Sequence, residues 1–167
     1  SIENVEFVAG LDTKVNGISN AGNMYISGNN TFNSAILNTG EMYLTGTNVF
    51  TSGITGNGNG EIRMQSGYSN LLGSVISNNK FINEGGEIKI NTATFAESEF
   101  ISVAGTTSLV DMTWKNYSFR KMTSGEGFDF LIDTNFDKEL ADTIYVGAGS
   151  TGIITLSELA GFDKELI

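Results

Sequence analysis

Four stretches of this chain repeat one another: Gly22-Asn-Met-Tyr-Ile26, Gly40-Glu-Met-Tyr-Leu44, Gly60-Glu-Ile-Arg-Met64 and Gly86-Glu-Ile-Lys-Ile90. Each is a turn-forming glycine followed by a short alternating strand. A unit that returns at such short intervals describes coils stacked on one another rather than elements gathered around one compact centre. It favours a spacer or a binding surface over a pocketed enzyme.

The match between the first two copies extends beyond the glycine. Ile18 and Ile36, Asn20 and Asn38, Ile26 and Leu44, and Phe32 and Phe50 all stand at the same interval as Gly22 and Gly40, and Ile54 continues the isoleucine series. Extra residues in Gly56-Asn-Gly-Asn-Gly60 lengthen the step to the next copy, the kind of turn insertion that a stack tolerates. Alternation with period two puts Met24 and Ile26, Met42 and Leu44, Ile62 and Met64, and Ile88 and Ile90 on one inward face. Their neighbours Tyr25, Tyr43, Arg63 and Lys89 then form an outward column. Burying each inward aliphatic side chain stabilises by about 1.5 to 3 kcal/mol before ordering entropy, so no coil stands alone and repetition makes the sum favourable. With ~20 residues per coil, the chain is expected to make about eight coils.

Asparagine and glycine recur together in Asn20-Ala-Gly22, Asn38-Thr-Gly40, Asn59-Gly60 and Asn83-Glu-Gly-Gly86. Glycine admits positive φ without a steric cost, and asparagine bonds its own backbone or stacks on its equivalent one coil away. These residues are read as structural. Twenty-one glycines and no proline suit an all-β chain rich in turns.

After Phe95 the repeat fades. Strands are expected at Phe100–Val103 and Ser108–Met112, and then at 128–132, 143–146 and 152–156, with an acidic turn through Asp133-Thr-Asn-Phe-Asp137. The chain divides into solenoid repeats over 1–127 and a hairpin-like capping segment over 128–167.

The glycine-led strands and Asn-x-Gly turns resemble the degenerate repeats in passenger regions of bacterial autotransporters, the pertactin-like adhesins. The tail from Phe128 to Leu156 is similar to their C-terminal stability segment, with Asp142, Ile144, Val146, Gly152 and Leu156 at the patterned positions. The resemblance implies a single right-handed parallel β-helix, in keeping with the handedness of parallel crossovers. It also implies an extracellular or cell-surface segment cut from a longer, outer-membrane-anchored chain. The start at Ser1 without methionine agrees with a processed or excised piece.

Composition narrows the chemistry. Without cysteine or histidine, the chain has no disulfides, thiolates, imidazole bases or common zinc sites. The net charge is −10, and residues 123–167 hold nine acids against Lys138 and Lys164. That sign repels nucleic acid and anionic membrane, so neither is expected as a partner. No apolar run reaches the ~18 residues of a membrane span, and no basic-then-apolar signal opens the chain, so the segment is expected to be soluble and not to insert.

Several stretches invite a chemical reading. Asp133, Asn135, Asp137 and Glu139 alternate like the oxygen donors of a calcium loop, but Lys138 and Ile144 stand where an EF-hand needs glycine and a bidentate acid. The stretch reads as a solvated acidic turn. Asp111 near Trp114 is the best start for a glycosidase pair, which needs a second carboxylate about 5 to 10 Å away. Arg63 and Arg120 are the only arginines, which disfavours a lyase, and Trp114, Tyr117 and Phe119 read as core or rung-edge packing. No Ser-x-x-Lys supports a dyad, and Gly56–Gly60 lacks the Lys-Ser/Thr of a phosphate loop. The RTX nonapeptide is absent, and the outward column lacks the threonines of an ice-binding face.

The expectation is therefore a non-catalytic structural or adhesive rod with no catalytic, cofactor or metal residues. Its partner would be a protein or glycan on a host or neighbouring cell. The alternative is a carbohydrate-binding or polysaccharide-degrading β-helix of the phage-spike kind.

Overall fold

The computed structural model describes residues 5–7, 12–13, 17–72, 75–91, 94–124 and 128–160. Among them the chain is all-β, with no helix. Its strands are β1 (Val5–Phe7), β2 (Asp12–Thr13), β3 (Ile18–Asn20), β4 (Asn23–Ile26), β5 (Asn29–Phe32), β6 (Ile36–Asn38), β7 (Glu41–Leu44), β8 (Thr47–Phe50) and β9 (Ile54–Met64). They continue as β10 (Tyr68–Leu71), β11 (Val75–Ile90), β12 (Thr94–Ser108), β13 (Asn116–Ser124), β14 (Phe128–Asn135), β15 (Leu140–Ala141), β16 (Thr143–Val146) and β17 (Ile154–Ala160).

Among these strands every pairing but one is parallel, and the pairings sort into three ladders that each coil visits in turn. The first passes Ile18, Ile36, Ile54 and Ile76, then Phe95, Phe119 and Val146. The second passes Val5, Met24, Met42, Ile62, Phe81, Phe100 and Met122. The third runs through β2, β5, β8, β10, β11, β12, β14 and β17. This is a parallel β-solenoid with a single core threading the coils.

The expected inward residues from Met24 to Ile90 are all buried, and the isoleucine and phenylalanine series stack in register. The Phe32 and Phe50 rings lie 4.8 Å apart at 8°, about one inter-strand spacing, so the period of the sheet sets the ring contact.

Four expectations are corrected. The regular stack comprises about five coils, opening at Ile18, Ile36, Ile54, Ile76 and Phe95, rather than eight. The interval from Phe95 to Phe119 on the first ladder is wider than that from Ile18 to Ile36, and the interval from Phe119 to Val146 is wider still. Later coils thus consume more chain at their corners.

The fourth copy is out of phase with the other three. Glu87–Ile90 pairs with Tyr68–Leu71 on the third ladder, whereas Arg63 is followed on the second by Ile82. The outward column is therefore Tyr25, Tyr43, Arg63, Ile82, and Lys89 belongs elsewhere. Gly86 likewise joins another corner: an added methyl at Gly46 would strike the Gly28 backbone, one at Gly67 would strike Gly46, and one at Gly105 would strike Gly86. Gly46 and Gly105 also have φ of +74° and +88°, so both sterics and conformation require glycine.

The hairpin expected in the tail is local. Only β14 and β15 pair antiparallel, Thr134 with Ala141 and Asn135 with Leu140, while β14, β16 and β17 extend the parallel ladders. Strand β12 also ends at Ser108, so the expected strand at Ser108–Met112 is instead a loop across 109–115. Residues 125–127, where the repeat and cap divisions meet, and residues 161–167 lie outside the described residues.

Candidate functional site

Two places gather polar side chains that the repeat does not require: the 109–115 loop and one corner of the stack. The loop is held by carboxylates from the last coils. Asp133 and Asp142 are 5% and 8% exposed. The N–H groups of Asp111 and Met112 donate to Asp133 Oδ2 at 2.6 and 2.8 Å. Those of Lys115 and Asp133 donate to Asp142 Oδ1 and Oδ2 at 2.9 and 2.8 Å. Asp111 in turn accepts from Thr113 and pairs with the Lys115 ammonium, which also donates to the Asn91 carbonyl at 3.0 Å.

The electrostatics follow from this packing. Burial raises the Asp142 pKa, with the Asp133 and Asp111 charges adding to it, and two backbone N–H donors offset only part of the rise. Burial also pushes Asp111 upward, but its bonds from Lys115 and Thr113 win and hold it below the usual carboxylate range. The Tyr117 hydroxyl donates to the Leu109 carbonyl at 3.2 Å and is driven upward by burial and by the Asp142, Asp111 and Asp133 charges. Asp133 and Asp142 are occupied in clamping backbone N–H groups, three of them in the 109–115 loop.

The residues singled out in the sequence scatter accordingly. Asp133 faces the loop, whereas Asn135 caps its own turn by accepting the Lys138 N–H at 2.9 Å, and Asp137 and Glu139 are exposed. The alternating oxygens of the supposed calcium turn thus diverge. Among the described residues no three acids gather as metal ligands.

Tyr117 and Phe119 are buried as expected. Trp114 is half-exposed instead, with the Lys138 ammonium 5.7 Å from its ring centroid, so one face is taken by a cation. Tyr25 and Tyr43 stack on each other at 4.9 Å and 11°, so each covers one face of the other. A hydrogen bond to Glu41, with some burial, pushes the Tyr43 hydroxyl to about 12.

The corner between the first and second ladders is different. Gly56 to Asn59 occupy four positions there, opposite the single residue Asn78 of the next coil. Ala96 to Ser98 occupy three, opposite the single residue Arg120. Long and short corners therefore alternate, and the short ones are recessed between the long ones. The recess is a cleft of about 530 Å³ lined by Gly58, Asn78, Asn79, Lys80, Ala96, Glu97 and Arg120.

Its inner wall rests on the asparagine ladder. Asn20 Nδ2 donates to Asn38 Oδ1 at 2.8 Å, and Asn38 Nδ2 donates to Asn79 Oδ1 at 3.0 Å across an intervening coil. The intervening coil carries Gly56 and Gly60 there, where any side chain would strike the Asn79 amide. Asn78, forced around the tight corner, has φ of +51°. That region is strained for most residues and best tolerated by asparagine.

Beside the cleft a charge ladder runs through Glu41, Glu61, Lys80, Glu99 and Lys121. Lys80 lies 3.4 Å from Glu61, and Lys121 lies 3.0 Å from Glu99. Burial raises Glu99, but its bonds from Lys121 and Thr123 outweigh this and lower it. Arg63 bridges Glu61 at 2.6 Å and Glu84 at 2.5 Å. Arg120 lines the cleft with Glu97, and neither makes an ion pair among the described residues.

Sequence reasoning misses this cleft. Gly56–Gly60 is its visible signal and reads as a turn insertion, but the residues it faces come from three further coils. Comparison of the chain with protein-family models, with curated proteins and with solved structures finds no match in any of the three.

Proposed function

We propose that the chain is a non-catalytic structural and adhesive segment of a bacterial cell-surface or secreted protein. In this reading it is a solenoid rod that displays its corners outside the cell and is part of a longer, outer-membrane-anchored chain. The partner is a protein or glycan on the surface of a host or neighbouring cell. The observation that carries the reading is the commitment of the buried carboxylates. Asp111, Asp133 and Asp142 bind backbone N–H groups or Lys115, which leaves them to hold coils together rather than to act as an acid and base across an open groove. The pertactin-like pattern of the tail agrees, since Asp142 is buried before the strand it introduces.

Two measurements test the proposal. Beads coated with the intact chain should adhere to bacterial or epithelial cell surfaces above a bare-bead control. A polysaccharide panel incubated with the chain should release no new reducing ends. Robust turnover abolished by Asp111→Ala would replace this reading with the enzymatic one.

A further inference from the structure

We propose that the corner cleft is a binding site for a carboxylate-bearing oligosaccharide, with Arg120 as its anchor. The argument begins with charge. The chain carries −10 overall, yet the cleft is lined by Lys80 and Arg120 against the single acid Glu97. Lys80 is shared with Glu61, whereas Arg120 is exposed and makes no ion pair among the described residues. A planar guanidinium with free donors matches a carboxylate bidentately.

The rest of the lining selects the body of the ligand. Asn78 and Glu97 are exposed and offer an amide and an acceptor, Gly58 presents backbone with no atom within 4 Å of its missing side chain, and Ala96 is the only apolar side chain of the lining. Mixed donors and acceptors without an apolar pocket suit the hydroxyls of a sugar better than the side chains of a peptide.

Shape agrees with composition. The lining residues come from four successive coils, so the recess spans about 14 Å at ~4.8 Å per rung, a length for several linked sugar rings rather than a small ion. The asparagine ladder makes the floor rigid before any ligand arrives, which lowers the ordering cost of binding.

This inference rests on the display reading only in taking the cleft to bind without cleaving. The test is calorimetric titration of the intact chain with trigalacturonate, with its methyl ester, acetate, sulfate and a hexaglutamate peptide as competing arms. Reducing ends are assayed in the same samples. Trigalacturonate is expected to bind in a saturable, salt-sensitive manner, while the ester and the small anions bind at least tenfold more weakly. Arg120→Gln should weaken binding roughly tenfold or more with an unchanged melting temperature, and Arg120→Lys should recover part of the loss.

Failure of trigalacturonate and of glucuronate- and sialate-bearing trisaccharides to bind would overturn the proposal. So would unaltered binding by Arg120→Gln, equal binding of the ester, or equal binding of acetate or sulfate. Tighter binding of the peptide would reassign the cleft to acidic protein. Release of reducing ends would instead overturn the non-catalytic reading while leaving the ligand class in place.

Discussion

The early coils and the late coils solve the same problem by different means. From Ile18 to Phe50, the coils lay like on like: Ile on Ile, Phe on Phe, Asn on Asn, and glycine against glycine at the corner. From Leu109 to Val146 little repeats. There the coils are joined by buried carboxylates that reach back along the chain to bond backbone N–H groups of a loop. Identical stacking needs coils of equal length. Once the first-ladder interval widens, from Phe95 to Phe119 and on to Val146, surplus backbone must be paired by something other than a ladder. Aspartate, with its short reach and two acceptor oxygens, does so.

Substitutions can break this contrast, and the largest effect is expected in the early region. Gly46→Ala meets both a positive φ and the Gly28 backbone, and should cost roughly 2 to 5 kcal/mol in urea unfolding. Gly58→Ala has positive φ but open space, and should cost about 1 kcal/mol. Equal losses at the two positions would remove close approach from the account of the early coils.

In the late region, Asp133→Ala strands two backbone donors and should cost about 2 to 3 kcal/mol, with faster hydrogen exchange confined to Asp111 and Met112. Uniform loss of protection along the chain would mean that the clamp is no more local than the stack. Asn38→Ala should cost about 1 to 2 kcal/mol, because Asn20 loses an acceptor and Asn79 a donor. A stability change within error would reduce the amide ladder to a consequence of register.

The smallest effect concerns pH and has opposite signs among the acids. Asp111 and Glu99 are held low, so the stability they contribute is present above the ordinary carboxylate range and is lost as pH falls through their depressed values. Asp142 is raised, so the folded chain takes up its proton before the unfolded chain does. Its contribution grows as pH falls through that raised value and is complete below about 3.9. Wild type should therefore gain on Asp142→Asn when urea midpoints at pH 7 are compared with those at about pH 3.9, the unfolded carboxylate value. Parallel midpoints would show that the two backbone donors neutralise the burial of Asp142.

What can be read from the sequence follows the same divide. The match between the first two copies locates their coils, their inward faces, the Asn20–Asn38 pair and the Phe32–Phe50 stack, because stacking like on like writes the period into residue identity. The Gly86 copy misleads because Gly-x-apolar-x-apolar describes any strand leaving a corner, and this solenoid has more than one such corner per coil. Later rungs align by identity only in pairs, Phe81 with Phe100 and Phe95 with Phe119, and what Ile62, Phe81 and Met122 have in common is burial. The cleft is illegible for a related reason: Asn78, Glu97 and Arg120 are unlike in type and meet only through register shifts between coils of unequal length.

The hydrogen bond from Asn38 to Asn79 has a mechanical consequence. The backbone ladders among the described residues tie each coil to its immediate neighbours, and a coil peeled away under tension releases roughly 60 to 70 Å of extended chain. The Asn38 amide donates both to the Glu61 carbonyl of the next coil and to Asn79 of the coil after it, over the gap left by Gly56 and Gly60. Peeling away the coil between them must therefore also break a bond to the coil beyond it, which adds about 1 kcal/mol to that step.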